Sequence, residues 1–158
     1  MPSHLAQVNV ARLRAPLDSP ELADFVAALE PVNASGDASP GFVWRLQTDA
    51  GDATAIAVFG DDSLIVNLTV WQSVEALADF AYRSDHKEVL RRRREWFVPM
   101  EEAFLALWWV PAGHEPTVTE AEERLLHLRA HGPTSYAFTF RDRFPAPAED
   151  TETSDVAP

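Results

Sequence analysis

The segment SLIVNLTVW, from Ser63 to Trp71, places chemically useful side chains on one side of a predicted β-strand. Because alternate residues of a strand point to the same face, Asn67 and Trp71 share a face with Thr69 between them. A few such polar groups in an apolar setting are typical of a pocket that orients a small ligand. A purely structural interpretation is also open, in which Trp71 fills a dimer core and Asn67 caps the following helix.

The segment YRSDHKEVLRRRREWF, Tyr82 to Phe97, contains four consecutive arginines in a chain of formal net charge -12. On one continuous helix, the positions i, i+4, i+7 and i+11 would form a single stripe of His86, Leu90, Arg93 and Phe97. Only Arg93 would then face the apolar side, so we expect it to be the least exposed of the four arginines. A buried guanidinium needs acceptors or a bound anion. Arg93 is therefore predicted to border the pocket together with His86, or to pair with a core carboxylate or carbonyl groups.

The first predicted strand carries two more amides, Gln7 and Asn9, on one face, and apolar residues on the other. Together the two strands predict a sheet face that holds amides, a hydroxyl and a tryptophan. Trp108 and Trp109 lie on opposite faces of their own predicted strand, so one of them joins this face. Which of the two does so depends on the register of the strands.

Hydrophobic periodicity and capping signals predict the order β-α-β-β-α-β, followed by an additional helix and a short strand. The main strands are predicted at His4–Leu13, Phe42–Gln47, Ser63–Trp71 and Ala103–Val110. Helices are predicted from Ser19 with a disturbance at Pro31, from Ser73 to about Phe97 either unbroken or with a break at Ser84, and from a capping box formed by Thr117 and Glu120. This order is typical of an α+β, ferredoxin-like antiparallel sheet with helices on one face.

The third predicted strand has two contrasting faces. The apolar face consists of Leu64, Val66, Leu68 and Val70, and the mixed face consists of Ile65, Asn67, Thr69 and Trp71. We expect the helices to cover the apolar face. The mixed face would then be bare, and two copies of the chain would bury it as a homodimer, because an exposed patch with a tryptophan favours association.

The composition of the 158 residues fits one domain, predicted at residues 1–145, followed by a disordered acidic tail at residues 146–158. Asp and Glu outnumber Lys and Arg by 25 to 13, which disfavours nucleic acid as a partner. The chain has no cysteine, which excludes disulfides and cysteine-ligated metals. No segment approaches the ~20 apolar residues of a membrane span, and no signal-peptide pattern is present, so we expect a cytoplasmic protein.

The segments NLTVWQSVEALADFAYRSDHKEVLRRRREWF and LWWVPAGHEPTVTEA resemble an uncharacterised bacterial family, a domain of unknown function, over roughly residues 4 to 145. That family is placed with the dimeric α/β-barrel superfamily, which includes the antibiotic-biosynthesis monooxygenases. The likeness to those monooxygenases rests on element order and on a pattern around Asn67, Trp71, Ser73, Glu75 and His86. In their cofactor-independent, quinone-forming members, an asparagine and a tryptophan near the end of this strand help to bind the aromatic substrate and a dioxygen-derived group. The resemblance implies these roles for Asn67 and Trp71.

Three functions are compatible with these residues and this resemblance. The first is a cofactor-independent, monooxygenase-like oxidoreductase without a metal, which acts on a phenol- or anthrone-type molecule through Asn67, Trp71, His86 and Arg93. The second is haem binding, in which the iron ligand would be His86, His114 or His4 and Arg93 would pair with a propionate. The third is a non-catalytic protein that binds a small molecule or serves as a scaffold.

Overall fold

The computed structural model describes residues 2–48, 51–82 and 84–147, without the side chains of residues 84–86 and 88. The strands are β1 (Ser3–Leu13), β2 (Phe42–Arg45), β3 (Leu64–Trp71), β4 (Phe97–Val98) and β5 (Leu105–Pro111). The helices are α1 (Ala23–Asp37), α2 (Val74–Ala81), α3 (Ser84–Arg91), α4 (Arg93–Trp96) and α5 (Val118–His131), and a 3-10 helix at Pro20–Leu22 precedes α1. The predicted last short strand is reduced to one bridge between Leu107 and Phe138. Within the described ranges, no helix is long and apolar enough to cross a membrane.

The strands form one antiparallel sheet in the order β2-β3-β1-β5, and β4 pairs with the far end of β1 on the same side as β5. The first strand of the chain is therefore central in the sheet. This order is the ferredoxin-like arrangement, and it confirms the predicted α+β fold class. The register places Gln7 opposite Thr69 and Asn9 opposite Asn67, so the polar residues of β1 and β3 meet on the mixed face.

Helix α5 covers the apolar face of the sheet. Its buried residues belong to the same core cluster as the apolar face: Ala121, Leu125 and Leu128. The mixed face carries the other helices, because Ile65 packs with residues of α1 and α4, and Trp71 packs with residues of α2. A helix covers the apolar face as expected, but the expectation that the mixed face is bare was wrong. Alternation shows which residues share a face, but it does not show which helix covers that face.

Both faces of the sheet are thus covered within one chain. On the mixed face, Trp71 is only 1% exposed and Ile65 is half-buried. The homodimer was predicted from the apolar surface of this face, and the chain's own helices occupy that surface. The homodimer loses this support and stays a prediction. Most of the predicted acidic tail lies outside the described residues, so its disorder also stays a prediction.

The segment predicted as helical from Ser73 to Phe97 consists of three shorter helices, and α3 begins at Ser84, where the sequence left a break open. The Ser73 hydroxyl caps α2 by accepting a hydrogen bond from the N–H of Ala76 at 3.1 Å. Arg92, with φ -95° and ψ 4°, leaves the helical conformation between α3 and α4. Phe97 then begins a strand. Because the helix is interrupted, the predicted stripe of inward-facing residues does not extend across this segment.

The turn between α1 and β2 lies directly against α2. Helix α1 continues through Pro31 to Asp37, so the predicted disturbance does not end it. Gly41 then has φ +84°, and a Cβ atom on it would lie 2.5 Å from the Cβ of Ala76 in α2. Glycine alone combines this backbone conformation with so close an approach. The start of β2 is thereby held against the helix that follows β3.

A turn at Asp61 leads into β3. Its carboxylate accepts hydrogen bonds from the hydroxyl and the N–H of Ser63 at 2.7 and 2.9 Å and pairs with Arg12 at 3.0 Å. The bonds from Ser63, followed by that from Arg12, lower the pKa of Asp61 from 3.8 to about 2. Because Arg12 belongs to β1, this turn ties the start of β3 to its neighbour in the sheet.

The N-terminus of α5 shows half of the predicted capping box. The Thr117 hydroxyl accepts a hydrogen bond from the N–H of Glu120 at 3.1 Å. Instead of reaching back, the Glu120 carboxylate accepts from the Trp108 indole at 2.9 Å and bonds to His114 at 2.7 Å. Burial acts to raise the pKa of Glu120, but the bonds from His114 and Trp108 outweigh it and keep this pKa below its usual value. The carboxylate thus anchors α5 to β5.

Candidate functional site

A continuous hydrogen-bond network joins five side chains of the mixed face: Gln7, Asn9, Asn67, Thr69 and Trp71. The Gln7 amide donates to the Asn67 Oδ1 at 3.0 Å and to the Thr69 hydroxyl at 2.8 Å. The Asn9 Nδ2 donates to the Gln7 Oε1 at 2.6 Å and to the Asn67 Oδ1 at 3.3 Å. The Trp71 indole donates to the Thr69 hydroxyl at 2.9 Å. The antiparallel register of β1 and β3 is what brings these side chains into contact.

Asn67 marks a gap in the helical cover of the sheet. It is exposed, whereas Gln7 and Thr69 are only 3% and 7% exposed. Strand β2 pairs with β3 only from Thr69 to Trp71, so Asn67 lies on the mixed face beyond the end of this pairing. The helices on the mixed face leave its side chain open to solvent there, beside the half-buried Asn9. We call this gap the amide opening.

Aromatic side chains lie on both sides of the amide opening. Toward the end of β3, Trp71 stacks on Phe80 with ring centroids 5.3 Å apart. Toward the beginning of β3, Ile65 packs in a cluster with Phe25 and Trp96, whose ring centroids are 5.4 Å apart. Phe25, Trp71 and Trp96 are at most 7% exposed, so they pack beneath the surface. Ile65 and Phe80 are the partly exposed apolar groups beside the polar floor, and a polar floor with apolar neighbours suits a ligand that carries both kinds of group.

Trp71 and Trp109 pack beneath the site and do not lie at its entrance. Trp71 is 1% exposed, and its indole N–H is taken by Thr69, so it orients the Thr69 hydroxyl. Trp109 lies in the same row as Trp71 on the mixed face, and its indole donates to the Phe144 carbonyl at 2.9 Å. Trp108 faces α5 instead. The register thus identifies Trp109 as the residue that joins this face.

Arg93 was predicted to be the least exposed of the four arginines, and this prediction was wrong. Arg93 is exposed, and Arg92 is the least exposed of the four, with a side chain that is 33% exposed. Arg92 pairs with Glu95 at 2.8 Å and with Asp24 at 2.9 Å, and its guanidinium lies 4.9 Å from the Trp96 ring. The hydrogen bonds from Arg92 hold the pKa of Glu95 below its usual value. The break between α3 and α4 explains why Arg93 does not face inward.

The histidines of the described chain do not converge on the amide opening. His114 bonds to Glu120 at the start of α5, and His4 lies opposite Val110 on the side of the sheet that α5 covers. The side chain of His86 lies outside the described residues. The described side chains of His4 and His114 and the exposed Arg93 therefore supply neither an iron ligand nor a propionate partner at the opening. Within the described ranges, no group of three or more His, Asp or Glu residues is arranged to hold a metal ion.

Gln7 is the central member of the network. Strand alternation placed it on the same face as Asn9, but it did not show that Gln7 links the side chains of β1 to those of β3. No charged side chain of the described residues hydrogen-bonds to this network. Among the described residues, the site thus offers a ligand a fixed amide donor, the Asn67 Nδ2, rather than a charge.

The family model of DUF3291, described as a domain of unknown function, matches residues 4–154 of the sequence. Among curated proteins, none matches the sequence. Solved structures that are similar include SnoaB, a cofactor-independent oxygenase from Streptomyces nogalater, with 16% identity over 72% of this chain and 96% of that chain and a TM-score of 0.44. Rv0793 from Mycobacterium tuberculosis has 12% identity over 72% and 99% of the two chains and a TM-score of 0.46. PA3566 from Pseudomonas aeruginosa has 13% identity over 72% and 98% and a TM-score of 0.48.

Proposed function

The chain belongs to the DUF3291 family, and we propose that it binds a small aromatic molecule with an ionisable oxygen and oxidises it without a cofactor. The substrate class is a phenol or an anthrone, and the site is the amide opening. One observation carries the proposal. Asn67 is held with its Oδ1 bonded to Gln7 and Asn9, so its Nδ2 is the end that faces the opening between aromatic groups.

Fixed donors of this kind stabilise negative charge on an oxygen atom. An anthrone reacts with dioxygen through its enolate, in which the charge lies largely on oxygen. A donor held in place before the reaction stabilises such an anion better than mobile water does, because it needs no reorganisation. The Asn67 Nδ2 would donate to this oxygen, while Thr69 and Trp71 keep the floor of the site rigid.

The electrons for this oxidation come from the substrate itself. The enolate first transfers an electron to dioxygen, and a carbon–oxygen bond then forms. The methylene group finally becomes a carbonyl group, one oxygen atom of dioxygen remains in that carbonyl, and the other leaves as water with the two hydrogens. The protein need only bind the anion, orient it and limit access of water.

His86 is the proposed partner for proton transfer or anion stabilisation. Val89 of α3 packs in the same cluster as Ile65, which lies two residues before Asn67. His86 precedes Val89 by about one helical turn, so it belongs to the helix that packs into the cluster of Ile65. Arg93 is not part of this proposal, because its side chain is exposed beyond the break at Arg92.

The test compares Asn67→Leu with the wild-type protein in the presence of 1,8-dihydroxyanthrone. Oxygen uptake is measured with an electrode and corrected for spontaneous oxidation. We expect the wild-type protein to accelerate uptake and Asn67→Leu to lower the rate by about a hundredfold, the usual effect of removing one donor to an oxyanion. Gln72→Leu makes the same kind of change at an exposed amide just after β3 and should leave the rate unchanged.

Two outcomes separate this proposal from its alternatives. Binding of the anthrone without any acceleration of oxygen uptake would refute the oxygenase and favour a non-catalytic binding protein. A Soret band in the purified protein, or on addition of haem, would favour the haem-binding alternative. A homodimer also stays part of the proposal, as the resemblance implies, and light scattering at micromolar concentration would contradict it by giving the mass of a single chain.

A further inference from the structure

Gln7 couples the orientations of three amide groups. A carboxamide has a donor end and an acceptor end, and network contacts decide which way it points. Both N–H groups of Gln7 are used, toward the Asn67 Oδ1 at 3.0 Å and the Thr69 hydroxyl at 2.8 Å. Its oxygen accepts from Asn9 at 2.6 Å. Gln7 is 3% exposed, so water does not replace these partners.

The orientation of Asn67 follows from that of Gln7. Its Oδ1 accepts from both Gln7 and Asn9. Rotating the side-chain amide of Asn67 by half a turn would point its N–H groups at the N–H groups of Gln7 and Asn9, and both hydrogen bonds would be lost. The buried amide therefore determines that the exposed amide presents a donor to the opening.

We propose that Gln7 is a positioning residue that makes the amide opening select the ionised form of an oxygen ligand, a phenolate or enolate, over the neutral hydroxyl form. A phenolate oxygen only accepts hydrogen bonds, which matches an outward N–H, whereas a neutral phenol binds best when its own O–H meets an acceptor. This inference rests on the proposed function, because it assumes that the aromatic ligand binds at Asn67.

Two substitutions at Gln7 test the coupling. Gln7→Glu keeps the shape but offers acceptors to Asn67, so Asn67 must turn its N–H groups inward and present its oxygen to the ligand. Gln7→Leu carries no charge and leaves Asn67 free to turn either way, which separates the effect of orientation from simple repulsion by a carboxylate.

The probe is 4-nitrophenol, because its phenolate and phenol forms have different visible absorption. We expect the wild-type protein to shift the bound probe toward phenolate, Gln7→Leu to abolish the preference, and Gln7→Glu to reverse it. The ratio of phenolate to phenol affinity should fall by about tenfold or more in both variants, which is a shift of about one unit in the apparent pKa of the bound probe. This readout does not respond to a merely structural role of Gln7.

Circular dichroism and thermal unfolding check that the variants fold. If the Gln7 variants do not fold, Asn9→Leu serves instead, because Asn9 is half-buried and donates to both Gln7 and Asn67; it should reduce the phenolate preference. An unchanged preference in folded variants would overturn the role of Gln7 while the proposed function stands. Absence of binding to the wild-type protein would overturn both.

Discussion

The packing of α5 on the apolar face leads to a prediction for two adjacent leucines. Leu125 is 0% exposed and lies in the core cluster with Val66 and Leu68, whereas Leu126 is 51% exposed. Leu125→Ala and Leu126→Ala make the same chemical change in the same helix. Only the first removes contacts with the sheet, so only the first should substantially lower the free energy of unfolding.

The expected loss for Leu125→Ala has two parts. Removing three buried carbon atoms at about 0.8 kcal/mol each gives about 2.4 kcal/mol of lost transfer free energy. The cavity that remains adds a further cost, and buried Leu→Ala changes typically total about 2–5 kcal/mol. We expect about 3–4 kcal/mol for Leu125→Ala by this reasoning. For Leu126→Ala we expect a change within about 0.5 kcal/mol, as for most surface substitutions.

Urea unfolding followed by circular dichroism measures both values. The wild-type protein and both variants should unfold with the same dependence on urea concentration, so that midpoint differences report stability. Equal losses for the two leucines, or a loss of less than about 1 kcal/mol for Leu125→Ala, would refute the conclusion that α5 covers the apolar face.

Two further predictions concern the turns that position β2 and β3. Gly41→Ala should lower the melting temperature clearly more than Gly113→Ala. Both glycines have a positive φ, but only at Gly41 would the new Cβ meet α2. Equal decreases in melting temperature would contradict the close approach of Gly41 to α2. The pKa of Asp61 is lowered from 3.8 to about 2, first by Ser63, so its ionised form contributes stability that is present above pH 3.8 and is lost as the pH falls toward 2. Asp61→Asn should flatten the pH dependence of unfolding in this window, whereas Asp62→Asn, at an exposed neighbour, should retain the wild-type slope.

Strand alternation was sufficient to place the polar residues of the site on one face. It grouped Asn67 with Thr69 and Trp71, and Gln7 with Asn9, because side chains in a strand alternate with a period of two. The order of elements likewise predicted the ferredoxin-like sheet. These features depend on local periodicity, which a single sequence displays directly.

The features that the sequence did not predict depend on contacts between distant residues. Both faces of β3 contain apolar residues, so the pattern in β3 alone does not show that α5 covers one of them. The break at Arg92 has no proline or glycine to signal it, and it moved Arg93 away from the site. The pairing of Gln7 with Thr69 is a matter of register, which alternation leaves open.

The central position of β1 affects how the chain folds during synthesis. Strand β1 is synthesised before the other strands of the sheet. Its neighbour β5 is synthesised after them, and helix α5, which covers the apolar face, follows β5. The mixed face can acquire its helices early, whereas Val66 and Leu68 stay in contact with water until α5 has left the ribosomal tunnel. Nascent chains with exposed apolar surface are prone to aggregate and are bound by chaperones. A chain that stops before Val118 would therefore be a target of chaperones and proteases, even though it would contain the whole amide opening.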